Sequence, residues 1–161
     1  MELSWTRVKP LSSKSVLPAL EKELSVRFPA SYIECATKYN GGHPSKEEIY
    51  SEELNELLAL EMLLRIDEDP FNVYAVYTML KNRIPPKIVP FFEDGFGNSY
   101  CFDFNVEGDP PVIFWSHEHE MEGGVIATVA SSFDDFLSKL LDEEEADELE
   151  RQLEADEDED S

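Results

Sequence analysis

The stretch IVPFFEDGFGNSYCFDF, residues 88–104, decides the fold of this chain. The apolar run from Ile88 to Phe92 is typical of a central strand. Pro90 lies inside it and predicts an irregularity, because proline donates no ladder hydrogen bond. Residues 98–104 alternate aromatic and polar side chains, which is the two-residue period of a strand. We therefore predict two neighbouring strands joined by a loop of residues 93–98.

The loop between these strands carries acids and glycines, which raises the question of whether it is catalytic. Gly95-Phe96-Gly97 does not fit a phosphate-binding loop, because a strand rather than a helix follows it and no lysine is present. Asp94-Gly95 between two apolar runs is a hairpin signal, and Gly97 can supply a second positive φ. The sequence predicts a structural turn that displays Glu93 and Asp94 at its tip.

Helical signals precede the strand pair. Ser15 and Pro29 mark the starts of two helices whose apolar residues recur at helical spacing. Asn40-Gly41-Gly42 predicts the end of the second helix, since asparagine and glycine accept the left-handed conformation. Residues 72–82 predict a third helix. The segment 46–66 is ambiguous, and we expect a short helix near 51–57 that passes into a strand near 60–66.

Further strands and a capped helix follow the strand pair. Residues 112–115 and 125–129 predict two more strands, and short turns between consecutive strands imply an antiparallel sheet. Ser132-Phe133-Asp134-Asp135 matches a capping box, and apolar residues then recur at helical spacing as far as Leu141. The class is α+β: one domain over 1–141, with its N-terminal helices and C-terminal helix covering one face of the sheet. Residues 142–161 form an acidic tail that we expect to be partly helical or disordered.

The net charge is the outlier of the composition. The 161 residues carry 36 acids and 13 Lys or Arg, a formal net charge of −23, and residues 142–161 hold 13 of the acids but only one base. Such a chain repels nucleic acid and anionic membrane surfaces and attracts basic partners. The composition therefore predicts a basic protein partner, with no nucleic acid and no membrane.

Reactive side chains are few and scattered. Cys35 and Cys101 lie 66 positions apart without a metal-binding spacing, which favours reduced, buried thiols in a cytoplasmic protein. His117 and His119 share a face of an extended chain, but a zinc site needs three or four ligands. No nucleophile with a base can be assembled from this set. We expect no metal, no other cofactor and no catalytic residue.

Four blocks of the sequence form a recognisable series when taken in order. They are Leu20-Glu21 with Phe28-Pro29, Tyr32 and Asn40-Gly41-Gly42; Ile88 to Asp103; Pro111 to Glu118; and Ser131 to Leu137. Together they resemble the SUKH superfamily, which includes Smi1-type cell-wall-assembly regulators and bacterial toxin-immunity proteins. The resemblance covers roughly residues 15–141.

The resemblance implies an α+β fold and a role in binding rather than catalysis. It assigns structural motif positions to Asn40, Gly41, Gly42, Gly95 and Gly97. Combined with the negative charge, it nominates a set of partner-binding candidates. These are Glu93, Asp94, Phe96, Asn98, Asp103, Trp115 and Glu118.

Two functional hypotheses follow from the charge and the resemblance. The first is an immunity protein that covers the basic surface of a cognate, nuclease-type polymorphic toxin, with Phe96 or Trp115 as aromatic anchors. The second is an intracellular adaptor or regulatory scaffold that binds a basic protein. The identity of the neighbouring gene separates them, because an immunity gene should lie beside a toxin gene.

Overall fold

A computed structural model describes residues 3–11, 15–67, 72–117 and 125–159. The described residues form five helices and nine strands. The helices are α1 (Val16–Leu24), α2 (Ala30–Lys38), α3 (Val73–Leu80), α4 (Phe133–Ser138) and α5 (Glu143–Glu159). The strands are β1 (Trp5–Thr6), β2 (His43–Pro44), β3 (Glu48–Ser51), β4 (Glu56–Ala59), β5 (Met62–Leu63), β6 (Ile88–Glu93), β7 (Ser99–Asp103), β8 (Val112–Ser116) and β9 (Val125–Ala130).

The centre of the fold is an antiparallel sheet of five strands in the order β5-β6-β7-β8-β9. The predicted pair from residues 88–104 is confirmed as β6 and β7, with Val89 opposite Phe102. The irregularity predicted at Pro90 is also confirmed, because the register shifts between Pro90 and Phe92. Two separate pairs, β1–β2 and β3–β4, lie outside this sheet. The α+β class is confirmed.

One face of the sheet is aromatic and receives helices from both ends of the chain. Phe91 and Phe102 stack with ring centroids 4.1 Å apart. Tyr32 of α2 meets both rings edge-on, at 5.8 and 5.1 Å, and Phe133 of α4 meets Phe91 at 5.8 Å. These are favourable offset and edge-to-face geometries. The predicted covering of one face by terminal helices is therefore confirmed.

Each of the first four helices follows a residue that favours a helix start, and two of these residues cap the helix with a side-chain hydrogen bond. Ser15 precedes α1 and Pro29 precedes α2, as predicted. The Asn72 side chain accepts the Ala75 N–H at 2.7 Å and caps α3. The Ser132 hydroxyl accepts the Asp135 N–H at 3.1 Å at the start of α4. Among the helices in the described ranges, none is both long and apolar enough to cross a bilayer.

The C-terminal helix ends earlier than its apolar spacing predicts. It stops at Ser138, and Leu141 instead exchanges two backbone hydrogen bonds with Glu48 of β3, at 3.2 and 2.7 Å. A new helix, α5, then begins with its own capping box. Asp142 Oδ1 accepts the Glu145 N–H at 2.8 Å, and Glu145 Oε1 accepts the Asp142 N–H at 3.2 Å. The bridge to β3 thus breaks the helical run that the sequence predicts through Leu141.

The short helix expected near 51–57 is wrong, because this segment is the turn and second strand of a β-hairpin. Ile49 pairs with Leu58, and the turn places Asn55 at a positive φ of 54°. Glutamate and leucine favour helix locally, but the alternating burial along β3 places Ile49 and Ser51 in the interior. The strand expected near 60–66 is confirmed only as β5, two residues long.

Candidate partner-binding surface

The loop between β6 and β7 is built around a buried carboxylate. Asp94, only 5% exposed, accepts the N–H groups of Phe96 and Asn98 on Oδ1, at 2.8 and 3.0 Å. Its Oδ2 accepts the Asn98 side-chain amide at 2.7 Å. Gly95 and Gly97 both adopt positive φ, 87° and 89°, as the hairpin interpretation predicts. Asp94 is therefore an internal clamp, and the expectation that it is displayed at the loop tip is wrong.

A second set of contacts ties this loop to the end of β8. The Asn98 Oδ1 accepts the His117 N–H at 3.0 Å, and the His117 Nε2 lies 3.1 Å from the carbonyl oxygen of Phe96. A Cβ at Gly97 would lie 3.2 Å from the His117 ring, so a side chain there would displace the imidazole. Both ends of the loop and its centre are thus held by hydrogen bonds.

The side chain that this scaffold presents is Phe96. It is 71% exposed, although its own N–H and C=O are both hydrogen-bonded to neighbouring residues. A large aromatic ring exposed on a held backbone loses little conformational freedom on binding, which is the property of an interface anchor.

Carboxylates lie beside the loop that carries this ring. Glu93 ends β6 and is half-buried, and its backbone carbonyl accepts the Glu61 N–H at 2.8 Å. Burial, then the charges of Asp94 and Glu61, raise the pKa of Glu93 above its ordinary value. The Glu61 carboxylate lies 2.8 Å from where a Cβ of Gly95 would stand. The loop that carries Phe96 is therefore bordered by negative charge that suits a basic partner.

The remaining predicted partner residues do not join this surface. Asp103 lies at the opposite end of β7, paired with Ile88, where it accepts the N–H of Asn105 at 3.0 Å. Trp115 is 0% exposed and pairs with Ser99 and Ile126 inside the sheet, so the expectation of a second aromatic anchor is wrong. The position of Trp115 at the end of a predicted strand did not indicate whether its ring would be buried or exposed. Glu118, like His119, lies outside the described residues.

The Asn40-Gly41-Gly42 motif has a structural role. The buried Asn40 side chain accepts the Ile66 N–H at 2.9 Å and donates to the Lys9 carbonyl at 3.3 Å. Gly41 has a φ of 69°, and a Cβ on it would lie 2.9 Å from the Arg65 side chain. A Cβ on Gly42 would lie 2.8 Å from a backbone oxygen. The motif ends α2 as predicted and also joins it to the segment after β5.

Two contributors to the surface were missed from the sequence. Glu61 lies in the ambiguous segment, and only the long-range pairing of β5 with β6 brings it beside Glu93. His117 was considered only as a metal ligand, whereas its ring contacts the Phe96 carbonyl. Asn98 bonds to Asp94 within its own loop and also accepts the His117 N–H at the end of β8, and the local sequence does not indicate this second partner.

The described side chains offer little for catalysis. Cys35 and Cys101 are buried and unpaired, as predicted. Burial, with a smaller contribution from Glu34, raises the pKa of the Cys35 thiol to about 12, and burial also raises the pKa of Cys101. Neither thiol is therefore ionised at neutral pH. Within residues 3–11, 15–67, 72–117 and 125–159, no three His, Cys, Asp or Glu side chains are grouped as a metal site.

The fold is an α+β domain: an antiparallel sheet covered by helices from both chain ends, with an exposed aromatic side chain on one hairpin loop. The chain belongs to the SUKH_6 family, described as SMI1-KNR4 cell-wall, whose model matches residues 16–137. SMI1-like proteins are not known as an enzyme family. The chain is also similar to the SPbeta prophage-derived uncharacterized protein YokK of Bacillus subtilis (strain 168). The two are 21% identical over 154 residues, which cover 85% of this chain and 79% of the relative.

Proposed function

We propose that this protein is a cytoplasmic immunity protein that binds a cognate, nuclease-type polymorphic toxin and neutralises it by covering its basic surface. Membership of the SMI1-KNR4 family supports a binding role over a catalytic one. The observation that carries the proposal is Phe96, an exposed ring on a hydrogen-bonded loop whose backbone is bordered by Glu61 and Glu93.

The charge and the anchor act on different steps of association. A nuclease presents a basic cleft for phosphates, so a net charge of −23 would steer the two proteins together and raise the association rate, most strongly at low salt. Burial of Phe96 against the toxin would then slow dissociation, because desolvated aromatic anchors dominate interface free energies. The protein needs no reactive group for this task.

The test is binding to, and inhibition of, the toxin encoded beside this gene. We expect a complex by surface plasmon resonance, an association rate that falls steeply from 50 to 500 mM salt, and loss of nuclease activity in the complex. F96A should raise the dissociation rate about tenfold or more, which corresponds to about 1.4 kcal/mol. M79A is the matched control, because Met79 is also exposed, at 63%, but lies on α3. Its rates should change less than about twofold.

Failure has two distinct forms. If the purified proteins do not associate at 50 mM salt, the proposal is wrong. If they associate but the nuclease remains active, the result supports the second hypothesis, an adaptor that binds a basic protein without neutralising it.

A further inference from the structure

A second surface, remote in sequence from the Phe96 loop, is left open where α5 meets the domain. It is a groove with a volume of about 500 Å³ between the β3–β4 hairpin, β9, α4 and the first half of α5. Tyr50, Val129, Leu141 and Leu149 supply its apolar lining. Leu149 is half-buried although it belongs to a helix dominated by acids. Folding thus leaves apolar surface in this groove only partly covered.

The rim of the groove is acidic. Glu52 and Glu53 are exposed, and in the part of the chain that the structure describes neither is paired with a lysine or arginine. The Glu53 carboxylate accepts one hydrogen bond, from the Thr128 N–H at 3.0 Å. The lysine in the lining, Lys139, is already paired with Asp135 at 3.1 Å.

Apolar walls under an acidic rim match a particular side-chain chemistry. Arginine and lysine carry an aliphatic stem that packs on apolar surface and a cationic head that stays near water or a carboxylate. An acidic side chain would be repelled by Glu52 and Glu53, and a purely apolar one would leave the rim unpaired. A second copy of this chain would bring another 23 negative charges.

We propose that this groove binds an arginine or lysine side chain of the basic partner, with its stem along Leu141 and Leu149 and its head group at Glu52 and Glu53. The identity of the occupant rests on the proposed function, which makes the partner a basic protein. The groove lies on β9 and α5, whereas Phe96 lies on the β6–β7 loop, so the partner would be held at two separate places.

Small probes test the groove without the partner. In ¹⁵N-resolved NMR titrations of the full chain, n-butylguanidinium should give saturable shifts at the amides of residues 128–131 and 149, with a Kd of about 1–10 mM for a fragment of this size. The neutral isostere n-butylurea should bind at least about fivefold more weakly, because it lacks the charge that Glu52 and Glu53 recognise. Guanidinium without the butyl chain should not saturate.

Variants separate the head group from the stem. E52Q/E53Q should remove the preference for butylguanidinium over butylurea, and L149A should weaken both probes. E107Q, which changes an exposed acid on the β7–β8 connection, is the matched control and should change neither Kd. The spectrum of each variant shows directly that it is folded.

Three results would overturn the assignment. The first is equal affinity for the charged and neutral probes. The second is shifts that spread along α5 without saturating, which would indicate only diffuse attraction to acids. The third is a concentration-dependent dimer that shifts the same amides, which would make a second copy the occupant. None of these outcomes depends on whether the toxin binds at Phe96, so the two proposals can fail independently.

Discussion

Replacing Asp94 by asparagine should destabilise the protein although the side chains have nearly the same shape. The Oδ1 of Asp94 accepts the Phe96 and Asn98 N–H groups, and an asparagine oxygen could keep both bonds without their charge assistance. On the other side, the new NH₂ group would face the Asn98 amide nitrogen across the present 2.7 Å contact. Turning the Asn98 amide over would restore that contact but would lose the bond from His117 N–H to Asn98 Oδ1.

The magnitude follows from these bonds. One broken contact between partly buried polar groups costs about 1–3 kcal/mol, and two bonds that lose charge assistance cost roughly 0.5 kcal/mol or more each. Because the loop can regain some hydrogen bonds to water, we expect a net loss of about 2 kcal/mol. For a domain of this size, that lowers Tm by about 4–8 °C.

Urea denaturation of D94N and D103N provides the assay. Asp103 makes a similar local arrangement, accepting the N–H and the side-chain amide of Asn105 at 3.0 and 2.9 Å, but it is only half-buried and these bonds are open to solvent. D103N should therefore stay within about 0.5 kcal/mol of the wild type, with an unchanged m-value. If D94N and D103N differ by less than about 0.5 kcal/mol, the Asp94 clamp does not hold the loop.

Three further changes test other parts of the structure. Y32F should leave stability equal or raise it by about 1 kcal/mol in urea denaturation, because among the described residues the buried Tyr32 hydroxyl has no hydrogen-bond partner; a loss above about 1 kcal/mol would contradict this. Burial raises the pKa of Glu48, and so do the charges of acids in α5, of which Glu150 has the largest effect. The contribution of Glu48 to the free energy of unfolding is therefore complete below its unfolded pKa and is lost as pH rises through its folded pKa. E48Q should therefore raise the free energy of unfolding at pH 7 by no more than about 0.5 kcal/mol after solvent screening, seen as a higher Tm, and should give no gain near pH 4. A chain ending at residue 142 should lose about 1–2 kcal/mol in thermal denaturation, because Ala146 is only 1% exposed against the domain, whereas a chain ending at residue 153 should match the full chain.

The sequence predicted those parts of the fold whose signals are local. The hairpin at Asp94-Gly95 and the cap at Ser132 act over three or four residues, and the structure has both of them. The hairpin at 48–59 was missed because its strands are stabilised by pairing and burial, while its composition favours helix. The break after Ser138 was missed for a related reason, since it depends on a bridge to β3, far away in the chain.

At the candidate surface, too, local features were predicted from the sequence and features that depend on distant contacts were missed. Phe96 is exposed, because a turn between two buried strands must project outward, whereas Glu93, which was expected at the loop tip, ends β6 and is half-buried. Trp115 was nominated by the family resemblance and Asp94 by its place in the predicted turn, and both are buried. The exposure of a residue depends on which strands flank it and on which amide groups it can bond to. The local sequence determines neither the neighbouring strands nor these partners.

The residues that carry the family resemblance and the residue proposed to recognise the partner have different physical roles in one loop. Asp94, Gly95, Gly97 and Asn98 determine the path of the backbone, through three hydrogen bonds to a carboxylate and two positive φ angles. Phe96 contributes nothing comparable to the fold, since its side chain is 71% exposed. A loop built this way can present a different side chain at that position without changing its own conformation. Specificity for a partner can therefore reside in Phe96 and the neighbouring carboxylates while stability resides in the clamp beneath them.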